Sequence, residues 1–79
     1  MRSDEALMLD MLLALQKIAR FIRGMREADF LANDLVQSAV MRELQVLGEA
    51  ARMVSLEAKA GTPNIPWPLI AGMRIRCAT

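Results

Sequence analysis

Apolar positions in the first third of the chain recur at spacings of three and four. Met8, Met11, Leu15, Ile18, Ile22 and Met25 form one such series, which predicts a helix carrying a continuous apolar stripe. Ser3 is placed to cap it, and Asp4 and Glu5 put negative charge in its first turn, where the helix dipole favours it. Asp10, Lys17, Arg20 and Gly24 mark the opposite side. Leu7, Leu9, Leu12, Leu13 and Phe21 widen the apolar surface beyond one stripe, so this helix is expected to touch neighbours on two sides. Gly24 is a natural stop.

Residues 26–32 read as a short connection, one helical turn pinned by Phe30 and Leu31. Asn33 is the expected N-cap of a second long helix, with Asp34 in its first turn. Its stripe is Val36, Val40, Leu44, Leu47, Ala51 and Val54, with Gln37, Arg42, Gln45, Glu49 and Arg52 as polar complement. The helix is expected to run to about Lys59, where Gly61 and Pro63 end it. Two long helices with a short link predict an antiparallel hairpin. After a loop over residues 63–66, Pro68 fits the first turn of a third helix reaching about Arg76, and Trp67 is placed to anchor its start. No segment alternates with a period of two, so the fold class is all-α. One domain over residues 1–79 is expected.

Composition changes this picture in one respect. Hydrophobic residues make up 54% of the 79, with seven Met and 4% aromatics. A domain this small buries a modest share of its surface, so the excess calls for a partner, most simply a second copy. Ten basic against nine acidic residues give a net charge of +1, which is not the strongly basic balance of a nucleic-acid coat. Charges interrupt the early apolar run, so no secretion signal or membrane span is expected, and a cytoplasmic protein is the default. The single Cys77 excludes an intrachain disulfide.

The chain has no His and no Tyr. Acid–base chemistry near neutral pH would fall to Asp, Glu, Lys or Cys with a displaced pKa. No phosphate-binding glycine loop, metal-ligand spacing or cofactor pattern is present. Lys17, Arg20, Arg23 and Arg26 form a basic end to the first helix. They could trace an RNA backbone, but complementing the helix dipole is the favoured reading. Glu49 could be a buried ionic partner for an arginine, but a polar-face residue with no catalytic role is the favoured reading. By spacing alone, Arg74 reads as a solvated basic residue near a helix end.

The stretch Ile65-Pro66-Trp67-Pro68-Leu69-Ile70-Ala71-Gly72-Met73-Arg74 resembles the HepT-like branch of the HEPN superfamily. There, a proline–tryptophan turn leads into a helix bearing Gly-Met-Arg. Phe21-Ile22-Arg23-Gly24-Met25, Asp29-Phe30-Leu31-Ala32 and Leu47-Gly48-Glu49-Ala50 are similar to earlier parts of the same family. The resemblance implies a four-helix bundle that dimerises, so that two Arg-x-x-x-x-His motifs meet and cut RNA without metal. It also implies a nucleotidyltransferase antitoxin partner of the toxin–antitoxin type.

Carried over by position, Arg74 matches the motif arginine, Ile75 stands where the family often has Asn, and Thr79 stands where the histidine belongs. A modifiable tyrosine expected further on has no counterpart. A threonine hydroxyl does not titrate near neutral pH and cannot act as the base or acid that RNA cleavage needs. Losing that contribution lowers the rate by ~10²–10⁴-fold, while Arg74 could still grip a phosphate. The chain is thus expected to be a truncated HEPN-type subunit, a ribonuclease by lineage with its cleavage lost. The alternative is a non-enzymatic helical module that dimerises or binds the nucleotidyltransferase. Without a fourth helix, apolar surface should stay uncovered, so light scattering at micromolar concentration should report a species larger than the monomer.

Overall fold

The computed structural model describes the backbone of residues 3–78 and the side chains of residues 3–72. The described residues form five helices and no strand: α1 (Asp4–Phe21), α2 (Glu27–Leu31), α3 (Asp34–Met53), α4 (Leu56–Ala60) and α5 (Trp67–Ala78). The Ser3 side chain caps α1 by accepting the Ala6 N–H at 3.1 Å, and Asn33 caps α3 by accepting that of Val36 at 3.0 Å. Gly24 has φ +74°, a left-handed conformation open to glycine at little cost. It turns the chain sharply after α1.

Helices α1 and α3 are an antiparallel pair. Asp4, at the start of α1, meets Ser55 beyond the end of α3, and Ile18 and Ile22 share a groove with Val40 near the start of α3. Helix α5 runs back along α3, so α3 serves both long neighbours. The core joins Leu7, Met11 and Ala14 of α1 to Leu47, Ala50, Ala51 and Val54, with Trp67 closing it from α5. Ala14 and Ala51 are almost wholly buried, and Gly48 is buried beside them. Such short side chains let helix axes approach closely, because axis separation follows the residues at the contact.

The buried face of α1 differs from the stripe that spacing alone suggests. Leu7, Met11 and Ala14 face α3, whereas Leu15 is 50% exposed and Ile22 40%. Leu9, Leu12 and Leu13 are also about half exposed. Among the described residues α1 packs chiefly on α3, so the expectation of neighbours on two sides is not met there. The reason is steric: the small Ala14 lets the buried face of α1 lie close against α3, and Leu15, the next residue along the helix, is turned away from that face. Similarly, Leu31 is 66% exposed and does not pin α2. Polar contacts hold that five-residue helix instead. Asp29 Oδ2 accepts the Arg26 N–H at 3.0 Å, and Gln37 Nε2 donates to the carbonyls of Phe30 and Leu31 at 2.8 and 3.0 Å.

The second long helix does not continue to Lys59. It ends at Met53; Val54 is extended (φ −63°, ψ 140°), and Ser55 caps a separate α4 by accepting the Ala58 N–H. Asp4 decides the break. Its Oδ1 accepts the Ser55 N–H at 2.9 Å and its Oδ2 accepts the Ser55 hydroxyl at 2.6 Å. An N–H engaged this way cannot join the helical ladder, so the kink is tied directly to the start of α1.

The Ser55 hydroxyl, then the Ser55 N–H, and more weakly the Lys59 charge hold the Asp4 carboxyl below its ordinary 3.8, against a small opposing effect of burial. A carboxylate with a lowered folded pKa adds stability that is complete above the ordinary value. That stability is lost as pH falls through the folded one. Asp4→Ala should therefore lower the melting temperature by a few degrees at neutral pH. The gap to the unsubstituted chain should close in acid well below 3.8; a gap that persists there would place the effect elsewhere.

Candidate functional site

The α5 segment begins with a locally determined anchor. Pro66 precedes the helix, the Trp67 N–H donates to the Ile65 carbonyl at 2.9 Å, and the Ile70 N–H donates to that of Pro66 at 3.1 Å. Pro68 lies in the first turn, where a missing N–H leaves no bond unmade. The Trp67 ring is 6% exposed within the core, and its Nε1 donates to Thr62 Oγ1 at 3.0 Å. Thr62 Oγ1 in turn donates to the Ala58 carbonyl at 2.9 Å, closing the C-terminal end of α4. The Lys59 ammonium sits 5.8 Å from the centre of the indole ring and 3.4 Å from the Arg52 carbonyl. One tryptophan thus connects α3, α4, the loop and α5.

Arg74 belongs to α5, seven residues after Trp67, about 10 Å further along the helix axis at 1.5 Å per residue. Its side chain and that of Cys77 are outside the described side chains, and Thr79 is outside the described residues. Gly72, between the anchor and Arg74, is half-buried, yet a Cβ built there would meet nothing within 4 Å. The packing of the described residues does not require glycine at that position.

The four cations at the end of α1 are divided. Lys17, Arg20 and Arg23 line one groove of about 540 Å³ with Leu13, Gln16 and Ala19. Arg26 lies beyond the Gly24 turn. Its Nε is 3.4 Å from Asp29 Oδ2, and it lines a different, largely apolar groove with Ile18, Ile22, Met25, Phe30 and Val40. The Arg26 N–H and then its guanidinium hold the Asp29 carboxyl below its ordinary value. Glu49 is a polar-face residue rather than a buried ionic partner: its half-exposed side chain accepts through Oε1 from Arg52 Nη2 at 2.8 Å, and this bond and its charge raise the Arg52 pKa.

Asp4 and Asp29, both pushed down, stay ionised near neutral pH and are poor general acids. Among the described residues no group of three or more His, Cys, Asp or Glu could hold a metal ion. No helix among them is long and apolar enough to cross a membrane.

Sequence reasoning named Trp67 but missed Thr62 as its partner and Ser55 as a cap. The signal for Ser55 was present: a capping residue with an acidic residue, Glu57, in the first turn after it is a common helix start. Replacing the anchor should separate its two roles. Trp67→Phe keeps most of the ring and removes the Nε1 donor, costing about 1 kcal/mol. Trp67→Ala should cost ~3–5 kcal/mol, much of the roughly 4–12 kcal/mol expected for a chain this size. Urea unfolding followed by far-ultraviolet circular dichroism measures both.

Comparison with known proteins gives this arrangement a lineage. The profile of the Ribonuclease HepT-like family matches residues 11–78, from the middle of α1 to the end of α5. A candidate RNase of Methanocaldococcus jannaschii is 29% identical over 73 residues, 92% of this chain and 67% of the relative. A second from the same organism is 33% identical over 92% of this chain and 60% of its own length. A candidate ribonuclease HepT of Thermococcus cleftensis is 36% identical over 92% of this chain and 66% of its length. The chain thus spans about two thirds or less of the length of these relatives. No solved structure matches it significantly. With the family profile running through both long packed helices and the Trp67-anchored α5, the chain belongs to the HepT-like ribonuclease family.

Proposed function

We propose that this chain is a HEPN-type subunit of a toxin–antitoxin pair, by lineage a metal-independent RNA endonuclease, in which Arg74 keeps its phosphate-gripping role and acid–base catalysis is impaired. The observation that carries the reading is the family match through residue 78, which takes in the Gly72-Met73-Arg74 stretch of the α5 helix held by Trp67. An arginine guanidinium can bind a phosphate through two hydrogen bonds and stabilise charge as the bond breaks. Thr79 occupies the position five residues beyond it, and a threonine hydroxyl supplies neither proton transfer.

A second copy of the chain is the first partner in this reading. Glycine inside a helix costs about 0.5–1 kcal/mol relative to alanine, and Gly72 has open space where its Cβ would be. A surface approaching from outside the chain would give that glycine a use. The half-exposed Leu12, Leu15 and Ile22 offer apolar area for the same association. A nucleotidyltransferase antitoxin is the second partner, and the cytoplasm the expected compartment. The exposed leucines of α1 equally favour the alternative role, a helical module that binds partners without cutting RNA.

Two measurements test this. Purified protein incubated with RNA should show no cleavage above buffer that Arg74→Ala removes; robust Arg74-dependent cutting would overturn the loss of activity. Gly72→Ala should stabilise the isolated fold by ~0.5–1 kcal/mol while shifting sedimentation toward monomer. Unchanged association would exclude α5 from the contact.

A further inference from the structure

We propose that Lys17, Arg20 and Arg23 form a binding track for single-stranded RNA on α1, separate from the Arg74 helix. This rests on the ribonuclease lineage proposed above for its choice of ligand, and on the α1 groove for its location. All three cations are exposed and line one concavity of about 540 Å³. None is in a salt bridge with a described residue. By contrast, Arg26 and Arg52 are each matched by a carboxylate three residues away.

The helix dipole does not account for the group. Its effect is confined to the last turn, where Arg20 is the basic residue. Lys17 lies before that turn, and Arg23 follows the end of α1 in the turn closed by Gly24. Only Arg20 complements the dipole directly, and with no described carboxylate paired to them the three cations, gathered on one concave surface, remain available to an external polyanion.

The other lining residues narrow the ligand. Leu13 is 45% exposed, and with Ala19 it sets apolar surface beside the charges. The Gln16 side-chain amide offers both a donor and an acceptor. Phosphates on the cations, a base edge or ribose hydroxyl on the amide, and a base face on the apolar wall are the three contacts an unpaired nucleotide can make. Duplex RNA keeps its bases stacked inside and would leave Leu13 and Ala19 without a counterpart.

The test is binding of a fluorescein-labelled oligouridylate to the full chain, read by anisotropy over a salt series. Each neutralised phosphate contributes about 0.7 to the slope of log affinity against log salt for single strands. The combined Lys17→Gln, Arg20→Gln and Arg23→Gln variant should therefore lower that slope by about 2 and weaken binding at least tenfold at low salt. The Arg42→Gln and Arg52→Gln double variant, which removes charge elsewhere, should stay within about twofold of the unsubstituted chain. Circular dichroism checks the triple variant, and if it does not fold, each single substitution should lower the slope by about 0.7.

Unchanged slope and affinity in the triple variant, with binding lost in Arg74→Ala, would overturn the α1 track and leave the ribonuclease lineage standing. No RNA binding by the unsubstituted chain would sink both. Polyglutamate competing as well as unlabelled oligouridylate would overturn the choice of RNA in favour of an acidic protein surface.

Discussion

The small residues of the buried core, Ala14 on α1 and Ala50 and Ala51 on α3, are the constraint on which the rest of this fold depends. Those residues are almost completely buried, and their small size lets α1 lie close along α3. Because α3 also packs along α5, it is the common wall of both long contacts. A chain of 79 residues buries too little surface to tolerate much error there. A larger side chain at position 51 would push one neighbour away and expose the Leu7–Met11 side of the core.

From that contact the geometry of the family helix follows in steps. Close packing brings the start of α1 level with the end of α3, where Asp4 takes both the N–H and the hydroxyl of Ser55. That engagement ends α3 at Met53 and starts α4 in a new direction. Thr62, at the end of α4, then accepts from the Trp67 indole, and Trp67 seats α5 in the core. The backbone of Arg74 therefore takes its place on the fold through Asp4, Ser55, Thr62 and Trp67.

The same packing accounts for the surface. Once Leu7, Met11 and Ala14 face α3, the remaining leucines of α1 point away from the core, which leaves part of the apolar excess of the composition exposed on that helix, with more exposed at Leu35 on α3 and Leu56 on α4. The proposed self-association and antitoxin binding would both draw on this face, whereas the cations lie together around the end of the same helix. The Gly24 turn divides them, leaving Arg26 to Asp29 and the other three to solvent.

Much of the fold was legible because the signals are local. Ser3 and Asn33 as caps, Gly24 as a stop, and Trp67 and Pro68 at a helix start act over three or four residues, and the structure places them accordingly. The Ile65 to Arg74 stretch likewise carried the family in sequence alone. Tertiary structure decided which side of α1 is buried, because an over-wide apolar helix offers several faces and only the fit against the core face of α3 selects among them. It also decided the break at Val54 and Ser55, since the competing hydrogen-bond acceptor lies 51 residues away on Asp4. The partition of the basic cluster followed from the path of the chain after Gly24. Local chemistry therefore determined where helices begin, end and belong by family, and non-local contact determined which of their faces meet.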